Sequence, residues 1–419
     1  MHLNVKLLNW IFILLLIFAC ITITKAQSTE PEKPKWIEFH GFVNYEMMYD
    51  TRQTVAPREG EVLLLPKPVD YDRFGNDINA QGKFQMFTFH TRMKADLKGP
   101  DVGKLKTSGA IEFDFLGTGD GSVNLIRMRH AFLKLSSDKF EWLAGQYWHP
   151  MFATDCFPDV ISWGAAVPVH VLSRNPQMRF TYKPNEKFSL SGTLLTQRDF
   201  LSSGPNGNSP EYMKNAKLPE TQLQIILKPN AKFVAGITAG YKVIAPRIVT
   251  DSNYVNKETL GSYNFNLFGR YIGEKLDFKL QGLYGQNLSS LLVTGGYAVS
   301  EINPALDQRK YVNLHTFSAW TELIFKINKI NIALFAGYTK NLGAKKDLPQ
   351  TYDIYGLGTN ISYLYRISPR ITYTINKLKL SVELNSTAAS YGDYDTDLSV
   401  INDNEVINHR FLFSTSLFF

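Results

Sequence analysis

Cysteine is almost missing from this chain. The 419 residues contain two, Cys20 and Cys156, and only Cys156 remains once the N-terminal leader is removed. A lone thiol forms no intramolecular disulfide, so no covalent staple holds the mature fold. Long apolar runs are equally scarce. Ile11–Ala19 is shorter than the ~20 residues of a membrane-spanning helix, and nothing after it is long enough either. Metal-ligand spacing is absent as well: His40, His90, His130, His149, His170, His315 and His409 form no His-x-His or His-Glu-x-x-His pattern. There is no Gly-x-Ser-x-Gly elbow. Gly117-Thr118-Gly119-Asp120-Gly121 looks like a phosphate cradle or calcium loop. It lacks a following Lys-Ser/Thr and a correctly spaced glutamate, and reads instead as a tight hairpin loop. These absences argue against an enzyme, and no metal and no cofactor are expected. Cys156, beside Phe157, reads as a small buried hydrophobe rather than a nucleophile.

What is present begins with an export signal. Lys6 supplies a basic start, Ile11–Ala19 an apolar run, and Thr24-Lys25-Ala26 the small residues of a peptidase site, which places cleavage before Gln27. Ile17-Phe18-Ala19-Cys20 loosely resembles a lipidation box, but Phe18 is bulky for it. Residues 1–26 are therefore read as a signal peptide, 27–35 as a short polar linker with Pro31 and Pro34, and 36–419 as one folded unit. Cleavage removes Lys6 and Lys25 and no acid, so the formal charge of +7 falls to +5, a weak pointer toward anionic solutes.

Along the remainder the hydrophobic period is two, not 3.6. Ile37, Phe39, Val43, Tyr45, Met47 and Tyr49 alternate with Glu38, His40, Asn44, Glu46 and Asp50. Over 83–98, Phe87, Phe89, Met93, Ala95 and Leu97 fall on one face, opposite His90, Arg92, Lys94 and Asp96. Phe233 to Val243 repeats the pattern. A strand between lipid and a wet interior needs this alternation, and 13% aromatic residues suit its outer face.

Connections come in two kinds. Short turns fall at 99–103, 136–139, 184–186, 229–230, 273–274, 328–329 and 376–377, rich in Pro, Asn, Asp and Gly. Longer loops fall at 51–82, 117–123, 149–175, 199–218, 246–257, 289–312, about 342–362, and 392–404. Seven short and eight longer connections join sixteen strands, with 354–376 read as a single strand despite Ser368-Pro369. The fold class is all-β: a transmembrane antiparallel β-barrel of 16 strands, wide enough for an aqueous channel. The chain ends on Phe411, Phe413, Thr415, Leu417 and Phe419 along one strand face. Free ends normally prefer water, whereas a closing barrel strand pairs with the first. This ending resembles the terminal-aromatic signal of bacterial outer-membrane proteins.

Gly41-Phe42-Val43 leading to Tyr49-Asp50, then Ile111 to Gly117, Arg127-Met128-Arg129-His130-Ala131-Phe132 and Leu143 to Trp148 together resemble the porin-like superfamily that includes the DcaP-type trimeric porins. The resemblance covers the first third of the mature chain. It implies a homotrimer in the Gram-negative outer membrane and passive uptake of small hydrophilic solutes, often anionic. One departure is the missing helical N-terminal extension, so trimer contacts would fall to the barrel wall. Outer-membrane lipid, like subunits and small solutes are the expected partners; nucleic acid is not.

With wet faces inward, strands two to four contribute His90, Arg92, Lys94, Glu112, Asp114, Arg127 and Arg129 as pore-lining, charge-selecting groups. Opposed acidic and basic rows would set a transverse field, while Glu112 and Asp114 are also expected to brace the wall against neighbouring bases. Loop 149–175 is too apolar for open solvent, with Phe152, Phe157, Ile161, Trp163 and Val167. It is expected to fold into the barrel and turn Asp155, Asp159, His170 or Arg174 to the passage. Loop 51–82 is read as an exposed loop, with capping of the mouth or latching onto a neighbour as alternatives. The alternative function is a barrel occluded by its loops, serving as an adhesin or scaffold.

Overall fold

The period of two becomes a closed antiparallel barrel in the computed structural model, which describes residues 36–350 and 352–419. The signal peptide and linker lie outside the described residues. Strands β1 (Ile37–Asp50), β2 (two segments, Lys83–Phe87 and Arg92–Lys98), β3 (Lys106–Asp114), β4 (Arg127–Ser136) and β5 (Phe140–Trp148) form the first wall. β6 (Arg174–Asn185), β7 (Phe188–Leu195), β8 (Glu220–Asn230), β9 (Phe233–Ile244), β10 (Leu260–Ile272) and β11 (Leu276–Gln286) continue it. β12 (His315–Ile327), β13 (Ile330–Asn341), β14 (Ile361–Ile375), β15 (Leu378–Tyr394) and β16 (Val400–Phe418) complete it. Each strand pairs with its sequence neighbours, and β16 returns to β1 with Phe42 opposite Phe418 and Asp50 opposite Arg410. Sixteen strands thus close without an edge, as a hydrocarbon surrounding demands. Phe419 extends the seam by donating its N–H to Gly41 O at 3.0 Å. Gly41 has to be glycine: a Cβ there would run into Arg92 O and the Phe419 ring.

The strand faces divide as the alternation requires. Val43, Tyr45 and Tyr49 are exposed on β1 while Asn44, Glu46 and Asp50 are buried; on β9, Phe233, Ile237 and Tyr241 alternate with buried Val234, Thr238 and Lys242. In the turns, Asn328 and Asn376 take φ of 53° and 52°, a left-handed conformation that asparagine tolerates. Pro369 sits inside β14 as an exposed residue, and the ladder to β15 skips Ser368 and Pro369, because proline has no N–H to donate.

Four features differ from the pattern reading. β2 is interrupted: a turn at Thr88–Thr91, closed by Thr91 N–H to Thr88 O at 3.1 Å, reverses its phase. Phe84 and Met86 therefore face outward, and Phe89 turns inward to a buried apolar cluster against which Phe87 packs. In β4 a bulge at Arg129 shifts the register against β3, so Arg127, Arg129 and His130 are all buried on the inner side. Loop 289–312 contains a hairpin of its own, Gly295–Asn303 with Gln308–Asn313, joined by Ile354–Leu357 from a later loop. The largest correction concerns loop 51–82. Val62, Leu63, Leu64 and Leu65 are buried, at 2%, 0%, 5% and 3% exposure, so this part of the loop is inserted, whereas Tyr71, Phe74 and Ile78 further along are exposed as expected.

The main apolar cluster lies inside the barrel and is built by two loops against the wall. Val62, Leu64 and Leu65 of the first loop meet Phe152, Trp163 and Val167 of the third, and Phe268, Trp320 and Phe335 of the wall complete it. Arg366 on β14 ties both loops down, donating to Val167 O at 2.6 Å and to Leu63 O at 3.0 Å.

Candidate functional site

The third loop leaves β5 at His149 and crosses the lumen to the opposite wall. Each stage is held by a polar wall residue bonded to loop backbone. Gln224 donates to Pro150 O at 2.8 Å, Asn266 to Met151 O at 2.9 Å, and Ser318 to Val169 O at 2.7 Å. At the tip the sense reverses: Asp159 N–H donates to Glu322 at 2.9 Å and Ile161 N–H to Glu383 at 2.9 Å. Both acids are 0% exposed and share the base Arg370, and Glu322 is also paired with Lys279. Backbone groups of an irregular segment inside a barrel need such partners, and here the wall provides them.

Between the loop and strands β1, β2, β4, β15 and β16 lies a cavity of about 400 Å³. Arg92, Arg129, Arg174 and Lys379 face it, against the acids Glu46 and Asp159; Ser381, Ser414 and Ser416 add hydroxyls. Trp148, Phe157 and Trp163 form its aromatic side.

The residues singled out from the sequence fall into three groups. Arg127, Arg129, Glu112 and Asp114 form one braced network: Arg127 grips Asp114 through two bonds of 3.0 and 2.6 Å, while Arg129 reaches Glu112 and, at 2.9 Å, Asp114. Arg127 is 4% exposed and its guanidinium lies 5.4 Å from the Trp163 ring. Arg92 and His90 are freer and face the cavity; Arg92 has Glu112 at 3.8 Å, and His90 has Glu46 at 3.2 Å. Lys94 is paired with Asp96 at 2.8 Å. In the third loop, Asp155 pairs with Lys228 at 2.8 Å and Asp159 with Lys279 at 2.9 Å. His170 is wholly buried, bonded to Gln281 at 2.6 Å, and desolvation pushes its imidazole down to about 3, so it stays neutral. Arg174 is also 0% exposed to bulk solvent and lies 5.1 Å from the rings of both Trp148 and Phe200. None of its three guanidinium nitrogens has a hydrogen-bond partner among the described residues.

No protein-family model matches the sequence, and no curated protein does. The fold, by contrast, has close counterparts. The outer membrane channel DcaP of Acinetobacter baumannii superposes with a TM-score of 0.68 over 91% of this chain and 97% of that one, at 15% identity. The fold is that of the DcaP-type porins. Two further porin-fold structures cover 91% of the chain and 99% of their own: an anion-selective porin from Comamonas acidovorans, TM-score 0.55 at 8% identity, and a trimer form of OmpT, an outer membrane protein of Vibrio cholerae, TM-score 0.54 at 11% identity.

Within this porin fold, several residues that shape the lumen carry no local sequence signal. Glu322, Glu383, Arg366, Arg370 and Arg410 sit on strands β12 to β16, far from the loops they hold. The first loop did carry one: Val62-Leu63-Leu64-Leu65 is a run too apolar for a solvent loop. Cys156 donates its thiol to Gly269 O at 3.2 Å, and desolvation pushes that thiol up to about 11. Thiolate is the nucleophile, so maleimide at pH 7.5 is expected to leave Cys156 of the folded mature protein unlabelled and to modify it fully after denaturation. Rapid labelling of the folded barrel would contradict this placement.

Proposed function

We propose that this chain is an outer-membrane porin, a homotrimer of water-filled channels through which small hydrophilic solutes diffuse with a preference for anions. The observation that carries the preference is the cavity beside the third loop. Four bases face it against two acids, and the guanidinium of one base, Arg174, is left without a hydrogen-bond partner among the described residues. A charge lined up on one side of a narrow low-dielectric passage attracts solutes of opposite sign and orients their dipoles. The anion-selective porin of Comamonas acidovorans supports the preference by fold alone, and the trimer form of Vibrio cholerae OmpT supports the assembly in the same way. The signal peptide at residues 1–26 and its cleavage before Gln27 belong to this reading, as the route to the outer membrane. Catalysis does not: the chain resembles channels, and Glu322 and Glu383 are engaged in holding the third loop.

Arg92 and Lys379 are the bases to change, because Arg127 and Arg129 hold the wall and Arg174 is sealed between rings. Arg92→Glu together with Lys379→Glu is expected to move the reversal potential in a potassium chloride gradient toward cation selectivity. A reversal potential that does not move would remove both side chains from the conduction path.

A second reading has an observation of its own. Two loops, 51–82 and 149–175, fill the lumen with an apolar cluster, as a barrel occluded for adhesion or scaffolding would require. That protein, folded and inserted in a bilayer, would show no conductance steps.

A further inference from the structure

The first loop carries a buried carboxylate that nothing in the barrel mechanism uses. Glu61 stands at the start of the inserted run, 1% exposed, and neither of its carboxylate oxygens has a hydrogen-bond partner among the described residues. Its backbone carbonyl is taken by Arg410 at 3.1 Å, but that guanidinium is already paired twice with Asp50, at 2.9 and 2.8 Å. Glu46 on β1 is also 1% exposed, and its Oε2 is unpartnered. His90, turned inward by the break in β2, places Nδ1 3.2 Å from Glu46 Oε1. One ligand atom from each of Glu46, Glu61 and His90 lies within 4.8 Å of the others.

Two buried carboxylates without a dedicated base leave charge that must be neutralised. A proton shared between them covers at most two of the three unpartnered oxygens and leaves one bare. A divalent cation takes an oxygen from each carboxylate, balances both charges, which one proton does not, and takes the imidazole as a further ligand. We infer that Glu46, Glu61 and His90 form a divalent transition-metal site that fastens the first loop to the barrel wall. Two carboxylates and one imidazole suit Zn²⁺ better than Ca²⁺ or Mg²⁺, which favour all-oxygen shells. Glu46 and His90 also border the cavity, which gives the ion a path from the lumen. Ligation through Nδ1 puts the ring proton on Nε2, which faces Arg92 Nη2 at 3.5 Å. That proton rules out a hydrogen bond from Arg92 to Nε2, and Arg92 keeps Glu112, 3.8 Å from its Nε, as its partner. The three ligands come from a strand, a loop and a strand break, which is why no spacing motif betrays them.

The test is calorimetric titration of Zn²⁺ into refolded mature protein stripped with chelator, with folding checked by heat-modifiable gel mobility. One Zn²⁺ per chain is expected, with affinity at least roughly tenfold weaker in Glu61→Gln and in His90→Gln; His90→Gln decides if Glu61→Gln fails to fold. Absence of saturable binding to the folded wild type would overturn the site in favour of a shared proton. So would binding undiminished in whichever variants fold.

Discussion

Replacing residues 152–167 by a short glycine–serine linker is expected to raise single-channel conductance severalfold. The removed segment includes Phe152, Trp163 and Val167, which fill the lumen with Val62, Leu64 and Leu65, and the tip that borders the cavity. Its loss uncovers Glu322, Glu383, Arg370 and Lys279, which form two acid–base sets that already balance one another. Lys279 loses Asp159 and Lys228 loses Asp155 with the segment, but Glu322 still faces Lys279 and Arg370, so the wall keeps most of its charge compensation while the obstruction goes. Conductance equal to that of the wild type would exclude this loop from the narrow part of the path. A smaller step in the same direction is expected from Glu383→Gln, which weakens the anchor of Ile161 N–H and leaves the apolar contacts intact.

The second large effect is on stability at the barrel seam. Asp50 and Arg410 are both 0% exposed and lie opposite each other where β1 meets β16. Arg410 also donates to Gly60 O at 2.8 Å and Glu61 O at 3.1 Å, so it holds barrel closure and the first loop together. Removing one partner of a buried ion pair strands the other charge, at a cost of about 3–5 kcal/mol. Arg410→Met is expected to lower the urea midpoint of the refolded barrel by a corresponding amount. Asp50→Leu combined with Arg410→Met is expected to recover much of the loss, since no lone charge remains. A double variant as unstable as the sum of the two single ones would mean that the pair itself, not its uncompensated half, carries the stability.

The sequence made the barrel legible because each strand states its own phase. Tyr45 beside Glu46, or Thr238 beside Ile237, says which side is lipid, and Asn328-Lys329 or Asn376-Lys377 says where a hairpin closes. The third loop was legible for the same reason: Phe152, Phe157 and Trp163 have no place in solvent. What stayed hidden is of two physical kinds. Local irregularities invert a face without changing composition, as the turn at Thr88–Thr91 does to Phe89 and the bulge does to His130. Contacts across the lumen join residues that only closure brings together, such as Glu383 with Ile161 or Arg366 with both Leu63 and Val167. Charge spacing on β3 and β4 therefore drew attention to Arg127 and Arg129, whereas the geometry engages both in bracing the wall, with Arg129 alone of the two also bordering the cavity beside Arg92, Arg174 and Lys379.

The inserted first loop reinforces that division. Its apolar run is held by Arg366, Arg410 and Tyr391, the last donating to Pro66 O at 2.7 Å. Two loops are thus held inside the barrel by separate anchors on the wall.

The proposed channel is open and has a basic lining. Planar-bilayer recording of the refolded mature protein under a potassium chloride gradient tests it most directly. Stable conductance steps with a reversal potential of anion-selective sign are the predicted result. Steps of cation-selective sign would contradict the basic lining, and a folded, heat-modifiable protein that inserts without producing steps would contradict the channel itself.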